Sequence, residues 1–537
     1  MDSLLGSIQA IPRRTGLSSG TVGVLLGITI LCLGGFLFSF TESIDDELTL
    51  TQTEQSILWH FQVGRFMLGW LRRGFWPSTH PFVAYACLAV AYVASYALLI
   101  GLHNLRHSWR TTLAFLLFLA FPTNWLLQEF PVTAFSLAFG LVLAPVAVIE
   151  TLRVHSGEAA REGSRWRLSL VTIGLLVVLT GFFQSFLLLY VSIGIGAVLL
   201  DGDASRAGAS NRLSALPPVF GYAVIAILLH RLIVKLSLFF HGLEPAHLDQ
   251  YTRNTLGMLR FRPLDYLLGH ATQILRTYVH PGYSYGADLW ALPLLVAGAI
   301  LTWWATRKRL PAGSRLIQAG LVLLLLLSPF LLNVLSTPDR LPLRSYVSLP
   351  YVIWVFAMLW LLQARSLQRG SLLASALVTG LLGFQCLNAT SEYFFSRHYN
   401  ARADLVTAST IASAMLNRPE FQGQGPLTLV VQGKLDRPLL SRSAWYSTAN
   451  GSFFNWDGGS ATRIVAYLRT LGITNLTAGD EATRERVLQQ FSAMRPWPDP
   501  GSLRLQGDVL LLKFSGDAEP LRPPPDQPRP GGRARRR

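Results

Sequence analysis

The chain has 537 residues, of which 51% are hydrophobic and only 14% charged, against about a quarter charged in soluble domains. That balance excludes an ordinary soluble globular protein, and three cysteines without metal-ligand spacing exclude a disulfide framework or a structural zinc site. The net charge of +16 accompanies no basic–aromatic groove or nucleic-acid motif, so it is read as basic cytoplasmic loops of a membrane protein.

Residues 1–20 are polar and carry Arg13 and Arg14, which predicts a cytoplasmic N-terminus. The first apolar run, Thr21–Phe40, lacks a small-residue cleavage pattern and is expected to span rather than to be removed. It delivers the acidic stretch Glu42-Ser-Ile-Asp45-Asp46-Glu47 to the outer side. From Glu54 to Leu71 the apolar positions fall near one helical face between Trp59 and Trp70, predicting a helix that lies in the interface.

Further spans are expected at 81–103, 112–129, 133–152, 168–182, 184–200, 216–238, 291–306, 316–335, 347–364 and 371–389, each near the length needed to cross a hydrocarbon core. The long run 168–200 is divided at Gly181-Phe-Phe-Gln184-Ser. A loop of some fifty residues between spans seven and eight is rich in His and Tyr. Every proposed inner segment is basic, from Arg106 and Arg110 through Arg307, Lys308 and Arg309 to Arg365 and Arg369, whereas the first outer loop is acidic. About eleven spans with an inside N-terminus then place the C-terminus outside. Only four of the basic residues are lysines, a usage that points to a bacterial inner membrane.

After the last span the composition changes. Helix-like stretches (Arg402–Asn417, Ala461–Leu471, Glu481–Met494) alternate with β-like runs (Leu427–Gln432, Ser502–Leu505, Val509–Phe514). The expectation is a transmembrane domain over 1–390, a small extracytoplasmic α/β domain over 391–519, and a disordered Pro- and Arg-rich tail over 520–537. No strong internal repeat is visible, which weighs against a two-half transporter.

Three groups of residues could carry chemistry. Asp45 and Asp46, with Glu47 as a third acid, are either a solvated loop or a catalytic base; neighbouring like charges partly desolvated at a bilayer raise one carboxyl pKa. His230, Arg231 and Lys235 lie in span seven, where ionisable groups are functional suspects. At about 1.5 Å per residue, Arg231 and Lys235 stand roughly 21 and 27 Å above Pro217, in the outer leaflet. They either snorkel to headgroups or clamp the phosphate of a lipid-linked donor. Arg340 and Arg344 occupy a short outer loop against the positive-inside bias, so an anion is expected to hold them there. Glu129 is a spare acid at the outer turn after span three. No dinucleotide fingerprint, nucleotide-phosphate loop, zinc motif or triad signature occurs.

This order of parts resembles the GT-C class of membrane glycosyltransferases, in which the first outer loop carries the acidic base and a soluble domain comes last. More narrowly, Asp45-Asp46 followed by Trp59 and Gly64-Arg65-Phe66 is similar to the bacterial glucosyltransferase-II family, which includes O-antigen serotype-conversion enzymes. Gln184 after its aromatic pair, Pro342-Leu-Arg344, and Phe453-Phe-Asn-Trp456 ahead of Tyr467-Leu-Arg-Thr-Leu-Gly472 also look like that family. The chain departs from it in having Glu47 as a third acid and a sizeable C-terminal domain.

The resemblance implies an inverting transfer of glucose from undecaprenyl-phosphate glucose to an envelope glycan such as O-antigen, with no cofactor and no metal. Asp45 or Asp46 would deprotonate the acceptor hydroxyl. Arg65, Arg231, Lys235 and Arg344 would hold the donor phosphate, with Glu47, Gly64, His230, Arg340 and Gln184 lining the substrate. The alternatives are a flippase for a lipid-linked sugar and a noncatalytic assembly scaffold.

Overall fold

The computed structural model describes residues 15–39, 41–75, 81–155, 165–200, 213–245, 248–308, 310–337, 341–367, 369–418, 426–437 and 447–515. The expected tail, Arg340, and Arg13, Arg14, Arg161, Arg206, Arg212 and Arg309 of the proposed inner segments lie outside the described residues. In chain order the helices begin with α1 (Ser19–Phe38), α2 (Asp46–Thr51), α3 (Thr53–Gln62), α4 (Phe66–Gly74) and α5 (Pro81–Leu102). Then come α6 (Trp109–Ala120), α7 (Pro122–Gln128), α8 (Pro131–His155), α9 (Arg165–Phe182), α10 (Phe186–Leu200) and α11 (Leu216–His241). Helices α12 (Leu248–Phe261), α13 (Pro263–Val279) and α14 (Pro281–Tyr285) follow, then α15 (Ala291–Arg307), α16 (Ala312–Leu327), α17 (Leu349–Leu367) and α18 (Arg369–Asn417). The chain closes with β1 (Leu427–Gln432), α19 (Ala461–Thr470), β2 (Leu476–Ala478), α20 (Glu481–Val487), β3 (Leu503–Gln506) and β4 (Val509–Lys513).

Helices stand at all eleven places where a span is expected. Among the described residues seven are long and apolar enough to cross a membrane, and α6 with α7 makes an eighth candidate bent by 48° at Phe121-Pro122. The bend has a local cause, since a proline disfavours helical conformation in the residue before it, and Phe121 is extended at φ −63°, ψ 133°. Helices α10, α15 and α17 are apolar but shorter.

Three expectations are corrected. The interfacial helix over Glu54–Leu71 is two helices broken at Val63-Gly64-Arg65, because Gly64 takes φ +76°, a value that interrupts a right-handed helix. The fifty-residue loop is helical, as α12, α13 and α14, and α13 exposes Leu264, Leu267, Leu268 and Leu275. The helix of the last span does not stop near 389: α18 runs unbroken for 49 residues, because nothing between Asn388 and Arg402 is Gly or Pro.

The chain divides into two compact units. The first contains residues to Phe40, Glu54–Phe394 and Ser441–Ser447. Within it α5 packs on α1 and α8, α9 on α8 and α11, and α17 on α6 and α15. Aromatic side chains fill the centre: Phe36 stacks on Tyr85 at 4.9 Å and meets Phe394 edge-on at 4.7 Å.

The second unit contains Thr41–Thr53, Phe395–Leu440 and Thr448–Arg537. The acidic loop therefore groups with the C-terminal segment, where the sequence had placed a boundary at 390. Its sheet has the order β2-β1-β4-β3, with β1 parallel to both neighbours and β3 antiparallel to β4. Strand β4 is buried at every position and β1 at nearly every one, which explains their continuous Leu/Val runs. Edge strand β3 alternates instead, and β2, three residues long, was too short to be seen in the sequence. Ile44 from the first loop joins the core made by Ile411, Met415, Leu429, Phe454 and Leu510.

Candidate functional site

In the second unit the acidic loop turns sharply. Asp45 adopts φ +85°, ψ −17°, a left-handed conformation in which Asp is one of the better tolerated non-glycine residues. The next residue opens α2. Its backbone N–H donates to the Ser43 carbonyl at 2.9 Å, while the Ser43 N–H donates to Asp46 Oδ2 at 2.7 Å. This reciprocal pair holds the Asp46 carboxyl inside the turn, 7% exposed. Arg397 of α18 faces it at 4.0 Å and also donates to the Thr41 carbonyl. Burial nevertheless outweighs the guanidinium and the backbone bond, raising the Asp46 carboxyl to about 8, with Glu47 and Asp45 adding to the rise.

Glu47 is completely buried. Its Oε1 accepts from Arg463 NH1 at 2.6 Å, and its Oε2 has no partner. Burial raises its pKa to about 7 against the opposing pull of Arg463. The same guanidinium donates through NH2 to Asp45 Oδ1 at 2.9 Å and through Nε to Asp457 Oδ2 at 2.5 Å. One arginine on α19 thus serves three carboxylates with three different N–H groups, a geometry available to a planar fork. Asp45, with a side chain 55% exposed, is the accessible acid of the cluster. Glu42 accepts from the Thr470 hydroxyl at 3.1 Å. The loop's four carboxylates are thereby distinguished by environment: Asp46 and Glu47 are buried with raised pKa, Glu42 is half-buried and also raised by burial, and Asp45 is at the surface.

Arg463 and Arg397 were not singled out in the sequence. Arg463 sits in an amphipathic helix whose Ile464, Val465 and Leu468 are buried, and a cation there looks like an ordinary solvated residue. Arg397 offered a better signal. Arg397, Asn400, Asp404 and Thr407 recur at helical spacing, and all four are buried. Asp404 forms an ion pair with Arg437 at 2.6 Å and accepts from the Ser452 hydroxyl at 2.6 Å and the Phe453 N–H at 2.9 Å. Phe453 in turn stacks on Tyr467 at 4.1 Å, so two stretches linked only by resemblance in the sequence are in contact.

In the first unit a second group of expected residues converges on the break between α3 and α4. Gln184 Nε2 donates to the Val63 carbonyl at 2.8 Å, and His230 Nε2 to the Gly64 carbonyl at 2.8 Å. A Cβ on Gly64 would lie 2.8 Å from Gln184 Nε2, so a side chain there is opposed by both φ and space. Arg65 leaves the break with its guanidinium 4.7 Å from the Phe183 ring. Arg72 donates to Ser56 at 2.8 Å and lies 3.1 Å from His60 Nε2; burial and the neighbouring Arg65 and Arg72 hold His60 well below its ordinary value, so it is a neutral acceptor.

Three further cations were singled out in the sequence. Arg231 and Lys235 are exposed on the face of α11 that also exposes Leu228, Leu232 and Leu236, away from buried His230 and Val234. That placement fits side chains reaching from the lipid-facing surface toward headgroups. Arg344 lies in a single 3-10 turn, Leu343–Ser345, 5.4 Å from the Phe130 ring. Glu129 is fully buried and accepts from the Ser447 hydroxyl at 2.7 Å. Among the described residues no group of three or more His, Cys, Asp or Glu could hold a metal ion.

Comparison with known proteins gives one finding. The family model described as Glucosyl transferase GtrII matches residues 34–361. No curated protein and no solved structure matches the chain.

Proposed function

Because the chain belongs to the GtrII glucosyl transferase family, we propose that this membrane protein transfers glucose from a polyprenyl-phosphate donor to a cell-envelope glycan such as O-antigen. The reaction takes place on the extracytoplasmic face of a bacterial inner membrane. The match covers Asp45-Asp46, Trp59, Gly64-Arg65-Phe66, Gln184 and Pro342-Leu-Arg344, on which the sequence resemblance was drawn, and ends before Phe453–Gly472, on which it was also drawn.

In this reading the acceptor hydroxyl gives its proton to Asp46 as its oxygen attacks the anomeric carbon. The bond from that carbon to the phosphate oxygen breaks, the configuration inverts, and the polyprenyl phosphate leaves as an anion. Arg65 and Arg344 stabilise the charge that grows on it. Arg231 and Lys235 contribute by holding lipid phosphate at the surface, and Gly64, Gln184 and His230 keep Arg65 in place. Asp45 orients the acceptor, and Glu47 with Arg463 supports both aspartates.

The observation that carries the reading is the placing of Asp46: a buried carboxyl in the loop after the first apolar helix, held by the Ser43 N–H and facing Arg397. Burial raises its pKa, which makes its ionised form a stronger base toward a sugar hydroxyl than an ordinary carboxylate, and transfer should quicken as rising pH removes its proton. The test is transfer from radiolabelled polyprenyl-phosphate glucose to candidate glycans by full-length protein in detergent. Asp46→Asn is expected to lower the rate by about 10²–10⁴-fold, Asp45→Asn by less, and the double variant is expected to be inactive while still inserting. Full activity of the double variant would remove the acidic base from the mechanism.

A further inference from the structure

Helices α12 and α13 carry the chain from α11, which ends where Gly242 takes φ +61°, toward the start of α15. Helix α13 divides its circumference three ways at about 100° per residue. One side is turned into the first unit. There the Tyr266 hydroxyl donates to the Val334 carbonyl at 3.0 Å and His270 Nε2 to the Ser336 carbonyl at 3.2 Å. A turn further on, Gln273 Nε2 donates to the Tyr346 hydroxyl, which donates to Asn333 Oδ1, and the Asn333 amide donates back to Gln273 Oε1. The three bonds close a ring at 2.8–3.1 Å. The other side presents Leu264, Leu267, Leu268, Leu275 and Val279, each 44–66% exposed. Between the two runs a polar flank of exposed Asp265 and Thr272 and half-buried Arg276. The turn leading into α13 exposes Phe261 between exposed Arg260 and Arg262.

We propose that α13 and the turn before it lie flat in the headgroup layer of one leaflet, and that an anionic phospholipid surface covers the exposed leucines. The proposal needs a membrane protein but not the glucosyl-transfer reading. In water, a stripe of five large apolar side chains would stay uncovered. Upright in hydrocarbon, the helix would press Asp265, Thr272 and Arg276, spread over about 16 Å of its length, against acyl chains. Flat at the surface, every side is satisfied: the hydrogen-bonded side faces protein, the leucines enter the acyl chains, and the flank meets water and headgroups. Charge chooses the lipid. From residue 260 to 279 three arginines stand against one aspartate, and arginines beside a leaflet favour anionic phosphodiesters. Continuity fixes the level, since the chain leaves α11 beside exposed Phe239 and Phe240 and enters the next apolar helix at Ala291. Because the inward side of α13 holds Asn333 and Tyr346, the lipid surface also sets the level of the turn that carries Arg344.

The test uses full-length protein in vesicles of phosphatidylcholine and phosphatidylglycerol. Leu264→Cys, Leu268→Cys, Thr272→Cys and Leu275→Cys are made singly in a Cys32→Ala/Cys87→Ala background, which keeps the buried Cys386, and each is given a nitroxide label. Electron spin relaxation by oxygen and by an aqueous nickel chelate then reads depth. The labels at Leu264, Leu268 and Leu275 should be reached by oxygen at closely similar depths, within about 5–10 Å of the headgroups, and the label at Thr272 by nickel. A depth difference of about 16 Å between Leu264 and Leu275 would mean an upright helix and overturns the proposal. Nickel access at the leucines overturns it too, as does protection from both reagents by another protein segment or dipolar broadening from a second copy. The headgroup is read with a bimane label on Leu268→Cys and brominated lipids. An arginine near a leaflet favours anionic lipid by about fivefold, so brominated phosphatidylglycerol should quench at no more than about a fifth of the mole fraction that brominated phosphatidylcholine needs. Arg260→Gln/Arg262→Gln should erase that preference. Equal quenching by the two lipids, or a preference that survives the double substitution, overturns the assignment. Neither measurement needs turnover, so a helix that lies on lipid in a protein that transfers no glucose would sink the proposed function alone.

Discussion

Asp46→Asn separates catalysis from stability because the two are expected to move in opposite directions. The folded-state pKa of Asp46 is about 8, raised from 3.8. Between those values the native protein holds a proton that the unfolded chain has released, so stability falls as pH rises. The loss is greatest per unit between about pH 5 and 7 and ends as the native carboxyl ionises near 8. From pH 6 to pH 8 the unfolded state gains two pH units of ionisation free energy and the native state only a fraction of one. At about 1.4 kcal/mol per unit, the wild type should lose about 2 kcal/mol from this group alone. Asparagine keeps an oxygen to accept from the Ser43 N–H and carries no charge to desolvate, so the variant should not show that loss. The measurement is equilibrium unfolding in detergent at pH 6 and pH 8, followed by tryptophan fluorescence. Glu47, with its pKa raised to about 7, adds a slope of the same sign in both proteins, so the effect of Asp46 is read as the difference between them. Equal losses in wild type and variant would refute the argument that desolvation governs Asp46. A gain in stability at pH 8 on replacing the proposed base is the trade-off expected where a site is built for reaction.

Three further outcomes follow from the geometry. Arg463→Met strands a buried Glu47 and should lower stability by about 3–5 kcal/mol in the same unfolding assay, and Arg463→Lys should recover only part of it, because one ammonium cannot meet Asp45, Glu47 and Asp457 along three directions. Gly64→Ala should cost about 2–3 kcal/mol, summing a left-handed alanine and a displaced Gln184 bond, read as a lower unfolding midpoint; an unchanged midpoint would mean that the α3–α4 break is not held by Gln184. Arg231→Gln/Lys235→Gln should leave the unfolding midpoint unchanged and reduce the rate enhancement given by anionic lipid, measured by transfer in vesicles with and without phosphatidylglycerol.

Several features were legible because they depend on neighbours in sequence. Apolar runs located helices at all eleven expected places, and the Gly181–Ser185 interruption marked the division between α9 and α10, since an uncharged segment must be helical to satisfy its backbone in lipid. Leu427–Gln432 and Val509–Lys513 were visible as strands because buried parallel strands are continuously apolar. Arg65 was named from the sequence as a donor-phosphate residue, and Gly64, Gln184 and His230 as substrate-binding residues, each separately. Their mutual hydrogen bonds, Gln184 to Val63 and His230 to Gly64, span more than a hundred residues and leave no periodic trace.

Composition and local pattern by themselves determined that this chain enters a bilayer, which stretches hold its apolar helices, and that Asp45, Asp46 and Glu47 follow the first of them. Tertiary structure alone decided which carboxyl is buried, which arginine answers it, and that the loop shares a core with a segment some four hundred residues away. The reason is physical: hydropathy acts residue by residue along the chain, whereas the proton affinity of a carboxyl depends on the groups that surround it, and those are supplied by folding.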